Sequence, residues 1–156
     1  MPSCVIDIPI GFAKITGDKN GISSVSIASE NGKSNIIPEE LLDCVTQLKA
    51  YFKEELQTFD LTLNPEGTAF QKSVWKQLQT IPYGKTISYL ELSKHLGDVK
   101  AIRAVANANG KNPLWIIIPC HRVIGSDGSL TGYAGGLSRK QWLLNHESIN
   151  KQQSLF

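Results

Sequence analysis

The sequence predicts a mixed fold of the α+β kind within the broad α/β class. A small sheet-plus-helix unit over residues 1–64 is followed by a mostly helical unit with a helix-turn-helix over residues 65–148. A flexible tail over residues 149–156 completes the chain. Three observations carry this reading. Apolar and polar residues alternate through residues 4–30, which is the period of a half-buried strand. From Pro38 onward apolar residues recur instead at helical spacing. Asn64-Pro65-Glu66-Gly67 then interrupts both patterns with the composition of a linker.

The first unit opens with Val5, Ile6, Ile8, Ile10 and Phe12 on one arm of an expected hairpin. Ile22, Val25 and Ile27 lie on the other, and Asn20-Gly21 supplies the turn signal. Pro38 starts a helix expected to run to about Gln57. Glu39 and Glu40 stand in its first turn, where acids suit the helix dipole. Leu41, Leu42, Val45, Leu48, Tyr51, Phe52 and Leu56 form its apolar stripe.

The second unit opens with a capping box, Thr68 followed by Gln71. The helix carrying Phe70, Val74, Trp75 and Leu78 should stop near Ile81, because a residue before proline resists helical geometry. Ser88 and Glu91 form a second box that opens a short helix, Tyr89–Leu96. Gly97 ends it and Asp98 caps the next, Val99–Asn109. Two short helices joined by Gly97-Asp98 fit a helix-turn-helix, and also a plain αα-corner. Ala101, Ala104, Ala106 and Ala108 smooth the second helix, and Arg103 is its only arginine. Such a face can approach a DNA groove closely while one long cation reaches in. Ile116-Ile117-Ile118 reads as a short buried strand, and Gly125-Ser126-Asp127-Gly128 as a hairpin turn. Gly132-Tyr133-Ala134-Gly135-Gly136 is glycine-rich but lacks phosphate-loop spacing. Ser138 and Gln141 are expected to cap a last helix containing Trp142, Leu143, His146 and Glu147.

Composition narrows the function classes. With 41% hydrophobic and 19% charged residues, the chain suits a globular fold. No apolar run approaches the ~20 residues of a membrane span, and the N-terminus lacks the pattern of a signal peptide. Cys4, Cys44 and Cys120 are odd in number and give no disulfide framework, which fits a reducing cytoplasm. No histidine precedes residue 95, and no metal-ligand spacing is present, so neither metal nor cofactor is expected. The net charge of +2 divides into −4 over residues 1–64 and +6 over residues 65–156. A basic half of this kind points toward a polyanion, or toward a solvated surface.

Pro119-Cys120-His121-Arg122-Val123 is the most informative stretch. It sets a thiol beside an imidazole, directly after the apolar run. The thiolate is the nucleophilic form of cysteine, and a nearby imidazole can take its proton. From this pairing Cys120 is expected to titrate below the free-thiol value of ~8.5. A buried structural cysteine is the alternative on these residues alone.

Ile118-Pro119-Cys120-His121-Arg122-Val123 resembles the active-site signature of the O6-alkylguanine-DNA alkyltransferases. The resemblance covers essentially residues 66–147. It takes in Ile87-Ser88-Tyr89, Arg103-Ala104-Val105, Asn112-Pro113, Gly132 to Leu137, and Trp142-Leu143-Leu144 ahead of His146-Glu147. It implies a ribonuclease-H-like N-terminal domain without that activity. It also implies irreversible transfer of an alkyl group from O6 of guanine in double-stranded DNA to Cys120, with O4-alkylthymine as a further candidate substrate. By the same resemblance His121 is the base, acting through a water, and Glu147 orients it. Tyr133 contacts the guanine edge and helps protonate the leaving base. Ala134 and Val123 line the pocket, and Asn112 braces the recognition helix against the active-site strand. Arg103 replaces the flipped base in the stack, and Tyr89 presses on the adjacent phosphate. Ala134 stands where some relatives carry serine. Two other classes remain open: a lesion-binding relative without transfer, against which Cys120 argues, and a cysteine hydrolase unrelated to DNA. The protein is expected to act as a monomer. Gln152-Gln153-Ser154-Leu155-Phe156 resembles the motif by which bacterial proteins dock on the sliding clamp, and equally fits a frayed end.

Overall fold

Pro9 and Ile10 break the N-terminal apolar run into two strands, so the sheet has three strands where two arms were expected. The computed structural model of the chain describes residues 1–29, 32–130, 133 and 135–148. Strands β1 (Ser3–Ile8), β2 (Gly11–Asp18) and β3 (Gly21–Ile27) form an antiparallel meander in the order β1-β2-β3. Cys4, Ile6 and Ile8 alternate inward along β1, as the period-two pattern requires. A one-turn 3-10 helix, Glu39–Leu41, leads into α1 (Leu42–Phe52). This helix stops five residues short of the expected end at Gln57. Cys44, Val45, Leu48 and Tyr51 form its buried face.

The chain divides into two compact units, and the division is not one cut. Among the described residues, Met1–Glu66 and Pro113–Ile117 form the first, whereas Gly67–Asn112 and those from Ile118 to Ser148 form the second. The expected Ile116-Ile117-Ile118 strand is absent. Leu114 makes a single parallel bridge to Val25, and residues 115–117 turn. Ile116 has φ +74°, which a β-branched residue rarely adopts and which ends any extended run. All three isoleucines are nevertheless buried. The apolar run reported burial correctly and backbone conformation wrongly, because hydrophobicity over three residues carries no period.

The second unit is built around α2 (Ala69–Leu78), α3 (Tyr89–His95), α4 (Ile102–Gly110) and α5 (Leu137–Glu147). Thr68 and Gln71 complete the capping box at α2, with both hydrogen bonds at 3.0 Å. A side chain on Gly67 would come within 2.5 Å of Trp75, so this position has room only for glycine. The indole Nε1 of Trp75 in turn donates to the carbonyl of Ala108 at 2.8 Å, tying α2 to α4. Ser88 caps α3 through the Glu91 amide. Gly97, at φ +90°, ends that helical segment, and Asp98 caps a 3-10 turn, Val99–Ala101, that leads into α4. The αα-corner of the sequence reading is therefore present.

Two expectations for this unit need correction. The turn at Gly125–Gly128 does not close a hairpin among the described residues. Strand β5 (Val123–Ile124) pairs instead, in parallel, with β4 (Ile87–Ser88). Ser138 does not cap α5: the cap is Gly136, at φ +92°, without a side-chain hydrogen bond. No described helix is long and apolar enough to cross a membrane.

Candidate active site

Pro119 cannot continue the preceding backbone pattern, and it leads into a one-turn 3-10 helix, Cys120–Arg122. That turn places three consecutive side chains in the interior. Cys120 is 4% exposed, His121 fully buried and Arg122 6% exposed. Three amides hold the turn, one of them the Arg122 N–H, which donates to the Pro119 carbonyl at 3.0 Å. The Cys120 N–H donates to the Ile118 carbonyl at 2.8 Å, and the Val123 N–H donates to the Cys120 carbonyl.

The buried charges are compensated locally, as burial demands. His121 Nε2 lies 2.8 Å from Glu147 Oε2. Arg122 donates from Nε to Glu147 Oε1 at 2.7 Å and from Nη2 to Oε2 at 3.0 Å, a two-pronged grip. Its Nη1 donates to the Ile81 carbonyl at 2.7 Å, and the guanidinium lies 5.7 Å from the Tyr83 ring centre. Burial alone would raise the Glu147 carboxyl. The hydrogen bonds and charges of His121 and Arg122 outweigh it and hold the group at about 2. Burial pushes His121 below the usual imidazole value; Glu147 opposes this, and Arg122 and Lys140 add to it. The imidazole is therefore neutral at neutral pH. With Glu147 ionised, Nε2 carries the hydrogen and donates to it. Nδ1 is left as the acceptor, buried and without a hydrogen-bond partner among the described residues.

The thiol departs from the sequence expectation. Burial pushes Cys120 up to about 11, while the Asn112 amide, the Lys140 charge and its own backbone N–H pull the other way without prevailing. At rest the site thus holds a thiol beside a neutral imidazole. Charge would separate only as the thiol reacts. Burial also raises Cys44 to about 12 and raises Cys4, so neither is activated.

The remaining candidate residues fall into two groups. Asn112 is buried, and its Nδ2 donates to the Ile118 carbonyl at 2.8 Å. Val123 is fully buried, and its carbonyl accepts from Lys140 Nζ at 2.6 Å. Tyr133 is buried, and burial raises its hydroxyl well above the ordinary phenol, with the neighbouring Cys120 adding to the shift. These three lie in the same unit as Cys120. Ala134 lies outside the described residues. Arg103 stands apart on the exposed face of α4, in line with Lys100, Ala104 and Asn107. Tyr89 opens α3 half-buried, its ring centre 5.9 Å from Lys140 Nζ.

Sequence reasoning missed Arg122 and Lys140. Arg122 lay inside the motif and was passed over for its two neighbours. Lys140 is fully buried, and burial lowers it to about 8 against the opposing charge of Cys120. Its signal was present: Lys140, Leu143 and Glu147 share the inward face of α5, so a lysine sits where an apolar residue belongs.

Comparison with known proteins identifies the family. Residues 69–149 match the family described as 6-O-methylguanine DNA methyltransferase, DNA binding domain. The chain is 48% identical over 154 residues to a methylated-DNA–protein-cysteine methyltransferase of Methanosarcina barkeri, covering 94% of this chain and 96% of that one. A protein of the same name from Mycolicibacterium paratuberculosis is 43% identical, covering 96% and 94%. Among solved structures, Mycobacterium tuberculosis OGT in complex with DNA superposes with a TM-score of 0.81 at 42% identity, covering 94% of this chain and 95% of that one. On these matches the chain belongs to the 6-O-methylguanine DNA methyltransferase family.

Proposed function

We propose that this chain repairs double-stranded DNA by moving the alkyl group from O6 of an alkylated guanine onto its own Cys120, once per molecule. One observation carries the reading: the buried Cys120 shares a one-turn helix with a neutral imidazole whose Nε2 is held by Glu147 and whose Nδ1 is free to accept a proton. In the reaction the Cys120 sulfur attacks the alkyl carbon. The S–C bond forms as the C–O6 bond breaks, and the electron pair leaves with guanine. The thiol proton passes through a water to His121 Nδ1, and Glu147 balances the resulting imidazolium. Tyr133 donates to the leaving base. The thioether is stable, so the sulfur is not regenerated.

Asn112 apart, the other roles are those the resemblance implies. Asn112 stabilises the sulfur as it gains charge, and Val123 and Ala134 line the pocket. A base inside the duplex cannot reach a buried thiol, so the nucleotide must be flipped out. Arg103, exposed on α4, fills the gap it leaves, and Tyr89 bears on the adjacent phosphate. The stretch from residue 65 to 148 carries this work in a cytoplasmic monomer that needs neither metal nor cofactor. Incubation with a duplex bearing one O6-methylguanine should add a single methyl to the protein, mapped by mass spectrometry to the Cys120 peptide. Methyl on another residue, or none, would refute the reading.

We further propose that Gln152, Gln153, Ser154, Leu155 and Phe156 dock on the sliding clamp. These residues lie outside the described ones, and the support is the motif. Leu155 and Phe156 are the apolar anchors and Gln152 fixes the register. A segment that orders on binding loses entropy, so an affinity on the order of micromolar is expected. Deleting residues 152–156 should abolish binding to purified clamp and leave methyl transfer on short oligonucleotides intact. Full-length protein that fails to bind clamp at high micromolar concentration would end this proposal.

A further inference from the structure

Asn109, in the last turn of α4, is 1% exposed. Its Nδ2 donates to the carbonyl of Cys120 at 3.4 Å, a long bond, and its Oδ1 has no hydrogen-bond partner among the described residues. Rotating the amide would only set Oδ1 against the Cys120 carbonyl, so that carbonyl fixes the orientation. The result is a buried amide poorly satisfied at both ends. A group of this kind is costly in a core, and an apolar side chain of the same shape would be cheaper. Stability therefore does not explain it.

Its position does. The Cys120 carbonyl already accepts from the Val123 N–H, which closes the 3-10 turn, so Asn109 is a second donor on that oxygen. Three residues on, Asn112 donates to the Ile118 carbonyl at 2.8 Å. The two amides thus grip the backbone on both sides of Pro119 from one short stretch of chain. Six residues before Asn109, the same helix presents Arg103 to solvent.

We propose that Asn109 is a positioning residue for the nucleophile, tying the Cys120 turn to the helix that bears Arg103. This rests on the alkyl-transfer reading above. Glu147 holds the His121 and Arg122 end of the turn, and without Asn109 the Cys120 carbonyl loses its tie to α4, which lets the sulfur shift relative to His121 Nδ1 and the flipped base. Asn109 acts through the Cys120 carbonyl, so its removal should act on the rate of the bound complex and not on DNA affinity.

Single-turnover transfer from a methylated duplex should be compared in the intact protein, Asn109→Leu and Asn109→Ala, together with DNA Kd and Tm. Misplacing a reacting group is expected to lower the rate at saturating DNA about ten-fold in both variants. The Kd should stay within about two-fold of the parent value. Asn109→Leu should melt no lower than the parent, which a merely structural role would not allow. A Leu variant that transfers at the parent rate, or that loses rate only as its Tm falls or its Kd rises, overturns the proposal; if that variant does not fold, the rate and Kd of Asn109→Ala decide alone. Failure of the parent protein to transfer at all would instead refute the alkyl-transfer reading.

Discussion

His121 and Arg122, adjacent in sequence, converge on one carboxylate: Glu147 Oε2 lies 2.8 Å from the imidazole and 3.0 Å from the guanidinium. A histidine base needs a carboxylate to fix its tautomer and to balance the charge it acquires. A carboxylate this buried needs a cation to stay ionised. Arg122 meets the second need and keeps Glu147 ionised beside His121. The pairing also explains why one charged network is tolerated in the interior of a small unit.

Replacing Glu147 with Gln should therefore damage stability and chemistry together. It leaves Arg122 buried without its counter-charge, and breaking such a pair costs about 3–5 kcal/mol. It also removes the acceptor that holds the Nε2 hydrogen, so transfer should slow by roughly 10²–10⁴-fold, the range for general base catalysis. Urea melts and single-turnover rates on the same preparation check both. An unchanged rate in a folded Glu147→Gln protein would remove Glu147 from the mechanism.

Acid should unfold the protein in two stages. His121 is depressed in the folded state, so the unfolded chain takes up its proton more readily, and stability falls as pH drops below 6.5. Glu147 is depressed from 4.5 to about 2, so its contribution is complete above pH 4.5 and is lost between 4.5 and 2. Urea midpoints measured across this range should show the second stage in the parent and not in Glu147→Gln. A flat profile from pH 7 to pH 3 would contradict the assigned buried states.

The thiol should be sluggish toward simple reagents. Because burial holds Cys120 at about 11, its reaction with iodoacetamide should be slow at neutral pH and climb through the alkaline range. Lys140 lowers that value, so Lys140→Met should shift the profile further upward. Mass spectrometry at each cysteine gives the profile. A plateau already reached at pH 7 would mean that a thiolate is present at rest.

Arg103→Ala separates flipping from chemistry. The free base O6-benzylguanine needs no extrusion from a helix, whereas a duplex lesion does. The variant should lose roughly ten-fold or more on duplex, since unstacking costs a few kcal/mol, and little on the free base. Equal losses on both substrates would show that Arg103 does not fill the vacated stack.

Much of this was legible in the residues. The capping box at Thr68 and the single Ser88 cap located two helix starts because caps are local chemistry, read from side chains three residues apart. The motif around Cys120 lies on one buried turn, and Glu147, the distant residue named with it, is hydrogen-bonded to that turn's His121. Ile116–Ile118 misled because burial and extended geometry share one signal over so short a run. The raised thiol was hidden for a different reason. His121 is beside Cys120 in sequence, yet the titration depends on burial by residues distant in the chain, and proximity alone suggested the opposite direction. Lys140 did leave a mark, a lysine on the inward face of α5, whereas the partners of Arg122 and Asn109, a carboxylate and a backbone carbonyl distant in the chain, leave none.

The most direct test is a titration of label from duplex DNA carrying O6-[methyl-labelled]guanine onto protein of known concentration, with excess DNA and extended incubation. Label on the protein should rise in a single phase to a plateau of one equivalent, stay there on addition of fresh DNA, and be absent from Cys120→Ala. Continued turnover beyond one equivalent, or label accepted by Cys120→Ala, would contradict irreversible transfer to Cys120.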